Sequence, residues 1–215
     1  MNAVRLLHVP TDQRLKPRKT RLKTVMLVAR VLAGDRDDLC RVRNISEGGM
    51  CIVTLAPLRV AQQIRIEFKN GMTIEPTVKW VGKEEAGLQF NEPIEIEQLL
   101  AAPNASAGIP LARIPRGPRL SAQCPVALRR QGHIGSGTLE NISQGGAQLR
   151  SAVHVEIDDM LQIIVPGLGS IKATVRRVSG TSAGLTFCDK LGFSELATWL
   201  AGEERFSAYQ KPPSP

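Results

Sequence analysis

Aromatic side chains are scarce in this 215-residue chain: five Phe, two Trp and one Tyr, 4% in all. A protein that threads single-stranded nucleic acid over stacking platforms needs more of them. There are three histidines (His8, His133, His154) and four cysteines (Cys40, Cys51, Cys124, Cys188), and no two cysteines form a C-x-x-C pair. Those spacings match no common zinc arrangement. The cysteines read as free, buried thiols in a reducing cytoplasm. No stretch approaches the ~18 apolar residues of a membrane span, and residues 1–10 lack the apolar run of a secretory signal. Catalytic constellations are missing as well. No phosphate-loop lysine motif or dinucleotide glycine pattern occurs, and His133 and His154 read as surface residues rather than catalysts. Neither an enzyme, a metal site nor a cofactor is expected.

What the chain does hold is an ordinary hydrophobic content, 42%, and a formal net charge of +8 that is unevenly placed. Residues 1–30 contain eight basic groups (Arg5, Arg14, Lys16, Arg18, Lys19, Arg21, Lys23, Arg30) against one acid, Asp12. A basic arm of this kind seeks phosphates, acidic protein or anionic lipid.

The chain also repeats itself. Asn44-Ile45-Ser46-Glu47-Gly48-Gly49 returns as Asn141-Ile142-Ser143-Gln144-Gly145-Gly146, 97 positions on. Gly87-Leu88-Gln89-Phe90 returns at the same offset as Gly184-Leu185-Thr186-Phe187, and Val78-Lys79-Trp80-Val81 lies opposite Val175-Arg176-Arg177-Val178. Three landmarks at one offset indicate a duplicated unit. Each copy reads as six short strands. In the first they are 25–32, 41–45, 50–55, 63–68, 72–81 and 86–90, with Asn70-Gly71 as a hairpin turn. In the second they are 126–130, 137–142, 147–150, 161–165, 170–178 and 183–187. Short strands punctuated by glycine suggest a barrel or sandwich. Helices are expected at 95–101 and 193–201, the latter with Phe193, Leu196, Ala197 and Leu200 on one face. Phe90, Phe187 and Trp199 read as packing residues, and Trp80 as core or barrel-edge packing. The divisions are an arm at 1–13, domains at 14–101 and 113–202, a linker at 102–112 and a tail at 203–215.

Two features point to an anionic ligand. Arg14 and Arg18 stand four residues apart, with Arg21 following; a guanidinium fork fits phosphate oxygens and the O6/N7 edge of guanine. Asn44 and Ser46 offer short, adaptable donors and acceptors. Gly49 permits close approach where a Cβ would clash, and Gly48 and Gly49 suit a turn with positive φ. The same N-x-S-x-x-G also reads as turn chemistry alone.

R-x-x-x-R, then a strand, then N-x-S-x-x-G, within a unit ending in G-L-x-F and a short helix, resembles the PilZ domain family. The resemblance covers residues 14–101 and, again, 113–202. It implies an all-β fold of two tandem six-stranded antiparallel barrels, each followed by a short α-helix. It also implies a bacterial receptor for cyclic dimeric GMP (cyclic di-GMP), the ligand that takes the place of a cofactor. On that basis Arg14 and Arg18 would wrap the ligand, while Asn44, Ser46 and Gly49 would receive a guanine base; Arg21 and Gly48 are additional candidates. The second copy keeps Asn141, Ser143 and Gly146. Its basic residues, Arg113, Arg116 and Arg119, do not form R-x-x-x-R; Arg116 and Arg119 mirror Arg18 and Arg21 at an offset of 98 rather than 97. It reads as a degenerate site with a structural or partner-binding role. The leading expectation is therefore a receptor that changes arm or interdomain conformation through its first domain and acts on a downstream protein. The alternative is a non-binding adaptor that joins proteins. A basic arm on nucleic acid or membrane is a weaker third reading, since it would bind polyanions in general with strong salt dependence.

Overall fold

A computed structural model of the chain describes residues 22–100 and 117–202. The arm, Arg14, Arg18, Arg21, the expected linker, Arg113, Arg116 and the tail lie outside the described residues. The first domain runs β1 (Leu22–Ala33), β2 (Arg36–Ser46), β3 (Gly49–Thr54), β4 (Arg65–Phe68), β5 (Thr73–Ile74), β6 (Thr77–Val81), β7 (Glu85–Gln89) and α1 (Ile96–Leu100). The second runs β8 (Leu120–Arg130), β9 (His133–Ser143), β10 (Gly146–Ser151), β11 (Met160–Val165), β12 (Gly169–Ser179), β13 (Ser182–Phe187) and α2 (Phe193–Ala201).

The second domain is the expected closed six-stranded antiparallel barrel, in the order β10-β13-β12-β11-β8-β9. The first departs from it. Its strands form a curled seven-stranded sheet, β5-β4-β1-β2-β3-β7-β6. The cause is Pro76, which has no N–H to donate and splits the run 72–81 into β5 and β6. At the equivalent position β12 has Ala173, and it runs unbroken for 11 residues. The two sheet edges are thus consecutive pieces of one strand, tied across by an isolated bridge between Gln63 and Thr77 and by Ile64 N–H donating to the Pro76 carbonyl at 3.1 Å.

Period-two burial produces the cores. In β4, Ile66 and Phe68 are buried while Arg65 is exposed; in β11, Leu161, Ile163 and Val165 point inward. Asn70-Gly71 makes the expected turn, with Gly71 at φ +85° and the Asn70 side chain accepting the Met72 N–H at 3.0 Å. The helix α2 has the bounds its periodicity predicts, with Leu196, Ala197, Trp199 and Leu200 buried. Trp199 Nε1 donates to the Pro166 carbonyl at 2.7 Å and pins the helix down.

The domains touch. Leu39, on β2 of the first domain, is 1% exposed and packs into the core of the second. Around it, the Asp37 carboxylate accepts the Ser121 N–H at 2.8 Å and the Arg41 guanidinium lies 5.1 Å over the Phe193 ring.

Candidate functional site

The repeated Asn-x-Ser-x-x-Gly segment is the turn of the β2–β3 hairpin, and its copy the turn of β9–β10. The Ser46 hydroxyl donates to the Gly49 carbonyl at 3.1 Å, and Ser143 to Gly146 at 3.0 Å. A Cβ on Gly49 would collide with the Leu88 carbonyl oxygen, and one on Gly146 with that of Leu185. The close approach that requires glycine here is therefore to the protein's own neighbouring strand. Positive φ is not involved: neither Gly48 nor Gly49 has it, and a Cβ on Gly48 would meet open space. The turn is also bonded to the second repeated motif. Phe90 N–H donates to the Gly48 carbonyl, and Phe187 N–H to that of Gly145, both at 3.0 Å. This joint accounts for the recurrence of both motifs at one offset.

Asn44 is placed by a bulge. The β2–β3 register slips between Val42 and Asn44, leaving Arg43 over, and the β6–β7 register slips between Val78 and Trp80. Equivalent slips occur in the second domain at Glu140 and Arg176. Bulges re-aim the side chains beside them. The result is one transverse row on the outer face of the first domain, Asn44, Cys51, Gly87, Trp80, with the backbone of Lys23 paired to Asn44 at its end. The next outer row holds Ser46, Gly49, Gln89 and Thr77. Between them Ile45, Met50, Leu88 and Val78 point into the core.

Trp80 is not core. It is 44% exposed, on the edge strand β6, with its indole directly over Gly87, where a Cβ would strike the ring. It presents a flat aromatic surface in line with half-buried Asn44. Arg43, on the bulge, pairs with Glu85. The motif reading missed Trp80, Cys51 and Gly87 as neighbours of Asn44, because the bulges that align them leave no trace in residue spacing.

The described part of β1 begins beside this row. Leu22 pairs with Ile45 and Lys23 with Asn44, so Arg21 directly precedes a residue hydrogen-bonded beside the site. Arg18 is four residues before Leu22, a reach of at most about 14 Å. In the second domain Leu120 pairs with Ile142 and Ser121 with Asn141. That pairing explains the offset of 98 upstream of the barrel. In β1 three residues (24–26) face Arg43, whereas in β8 two (122–123) face Glu140, so the bulges differ by one residue. The equivalent row is Ser121, Asn141, Gln148, Gly184, Arg177. Arg119 is half-buried at its head. Asn141 differs from Asn44 in that its Oδ1 is sealed from solvent without a hydrogen-bond partner.

Among the described residues no group of His, Cys, Asp or Glu is placed to hold a metal ion. His133 and His154 are exposed. The four cysteines are free; three are buried, but Cys188 is exposed. Burial pushes the Cys40 thiol up to about 12, against a smaller lowering by a backbone hydrogen bond with Ala29.

The family model described as PilZ domain matches residues 12–102 and 114–200. The chain belongs to the PilZ domain family. Similar solved structures of low identity include Borreliella burgdorferi PlzA in complex with c-di-GMP (12% identical, covering 86% of this chain and 94% of that one, TM-score 0.38). K. pneumonia MrkH in complex with c-di-GMP is 11% identical, covering 81% and 85%, TM-score 0.31. Escherichia coli YcgR in complex with c-di-GMP is 13% identical, covering 81% and 82%, TM-score 0.31. No curated protein matches the chain. Among the described residues of this PilZ protein, no helix is long and apolar enough to cross a membrane.

Proposed function

We propose that this PilZ protein is a cyclic di-GMP receptor, and not an enzyme, that takes its ligand on the outer face of the first domain. The observation that carries the reading is the pairing of Leu22 with Ile45 and Lys23 with Asn44. Leu22 and Lys23 directly follow in sequence the stretch bearing Arg14, Arg18 and Arg21, and they lie beside the adjacent outer rows that hold Asn44 and Ser46. Arginine forks supply charge-assisted hydrogen bonds to phosphate. The Asn44 amide offers both a donor and an acceptor to a base edge. Ser46 spends its proton on Gly49 and keeps its lone pairs for ligand donors. Trp80 adds a stacking surface, worth roughly 1–3 kcal/mol per base in nucleic-acid sites. Ordering the arginine segment over the ligand is the conformational step, and it acts at the end of β2, the strand that also docks on the second domain. The free cysteines accord with a reducing cytoplasm.

One observation favours the adaptor alternative. Ser46, Gly49, Ser143 and Gly146 each have a complete structural explanation without ligand. Calorimetric titration with cyclic di-GMP separates the two readings. The receptor reading expects saturable binding by the native chain, weakened about tenfold or more by Arg18→Ala through loss of charge-assisted bonds, and little altered by Ser143→Ala. Absence of binding by the native protein supports the adaptor.

A further inference from the structure

The second domain repeats the ligand face of the first, yet something already sits at its head. Ser121 opens the outer row that continues through Asn141, Gln148, Gly184 and Arg177. Its backbone N–H, at the start of β8 and two residues after Arg119, donates to Asp37 Oδ2 of the first domain at 2.8 Å. Asp37 is 5% exposed and is held in place by Arg30, whose Nη2 and Nε lie 2.7 and 3.1 Å from the same oxygen. Arg30 is itself fixed by Glu67 at 3.0 Å.

Asp37 belongs to a docking stripe. Asp37, Leu39 and Arg41 alternate along β2 and meet, in turn, Ser121, the second core and the ring of Phe193. Arg36 Nη2 adds a long bond, 3.4 Å, to the Leu200 carbonyl. The equivalent positions 97 residues on are Ile134, Ser136 and Thr138. They carry neither the carboxylate, the leucine nor the guanidinium, and Ile134 is 73% exposed. The docking stripe therefore belongs to the first copy alone; the duplicated barrel did not bring it along.

We propose that Asp37 of the first domain plugs the head of the second ligand face, so that the chain binds a single cyclic di-GMP. The inference rests on the receptor reading above. A carboxylate held at Ser121, two residues after Arg119, repels a phosphate brought to the head of this row. The Asn141 carbonyl oxygen, the atom that would read a base, is already sealed.

The test is a calorimetric titration of the full chain with cyclic di-GMP, read as ligands bound per chain. The native protein is expected to bind one. Asn44→Ala is expected to bind none, and Asn44→Ala with Asp37→Ala to recover one site, which Asn141→Ala then abolishes. Leu39→Ser with Arg41→Thr, which installs the second copy's residues on β2, should open the same site if Asp37→Ala alone proves unstable. Amide exchange gives a readout without ligand: the Ser121 N–H should be protected in the native chain and exchange at least tenfold faster in Asp37→Ala. Two ligands bound by the native chain would overturn the inference while leaving the receptor reading intact. So would one ligand bound by the native chain with no recovered site in either opened variant, or equal Ser121 exchange in native and Asp37→Ala protein. No binding by the native chain at all overturns the receptor reading, and this inference with it.

Discussion

Gly49 and Ser46 show how a motif residue answers to the fold. The glycine is required because the Leu88 carbonyl oxygen occupies the space of its Cβ, and the serine proton closes the turn. Gly49→Ala should therefore lower the unfolding free energy by roughly 1–3 kcal/mol, as overpacking against backbone does. Gly48→Ala, facing open space without positive φ, should cost well under ~1 kcal/mol. Denaturant melts of the two variants check the contrast. The motif was legible in the sequence because it recurs, but its reasons were not: a collision with Leu88, 39 residues on, leaves no local mark. Of the two readings of Trp80, core or barrel-edge packing, the structure selects the edge: the register slip at Lys79 turns it onto the outer face beside Gly87.

Strands and helices were more readable than their joints. The apolar period of 193–201 located α2 to the residue, and Asn70-Gly71 located the β4–β5 turn. Pro76 was a readable signal of a split strand that the alternation around it concealed. The bulges at Arg43 and Glu140 were unreadable, since spacing does not reveal which of two opposed residues is left over. β2 also sets a chemical contrast among the cysteines. Cys40 lies between Ala29 of β1 and Thr54 of β3 and is fully buried, its thiol pushed up to about 12 by desolvation. A raised folded value means that this thiol contributes its stability fully below its ordinary value of 9.0 and loses it as the pH climbs toward 12. At pH 8 iodoacetamide should accordingly label Cys188 alone among the four, with Cys40, Cys51 and Cys124 reacting only after unfolding. Mass spectrometry of the labelled peptides reads the outcome; modification of Cys40 in the folded protein would show that β1 and β2 open readily.

At the scale of the molecule, duplication predicted two like domains, and the structure makes them unlike in closure. The seven-stranded first domain carries the row from Asn44 to Trp80 and docks on the closed second barrel through Leu39, Asp37 and Arg41. That docking was hidden in the sequence, because Asp37, Leu39 and Arg41 alternate like the outer face of any strand. The central claim is that arginines ahead of β1 close cyclic di-GMP onto the face of the first domain. Tryptophan emission tests it most directly in a Trp199→Phe background, where Trp80 is the remaining indole. Titration with cyclic di-GMP should quench that emission saturably, and Arg18→Ala should remove the response. Unchanged emission across the titration, or a quench that Arg18→Ala leaves intact, would contradict the account.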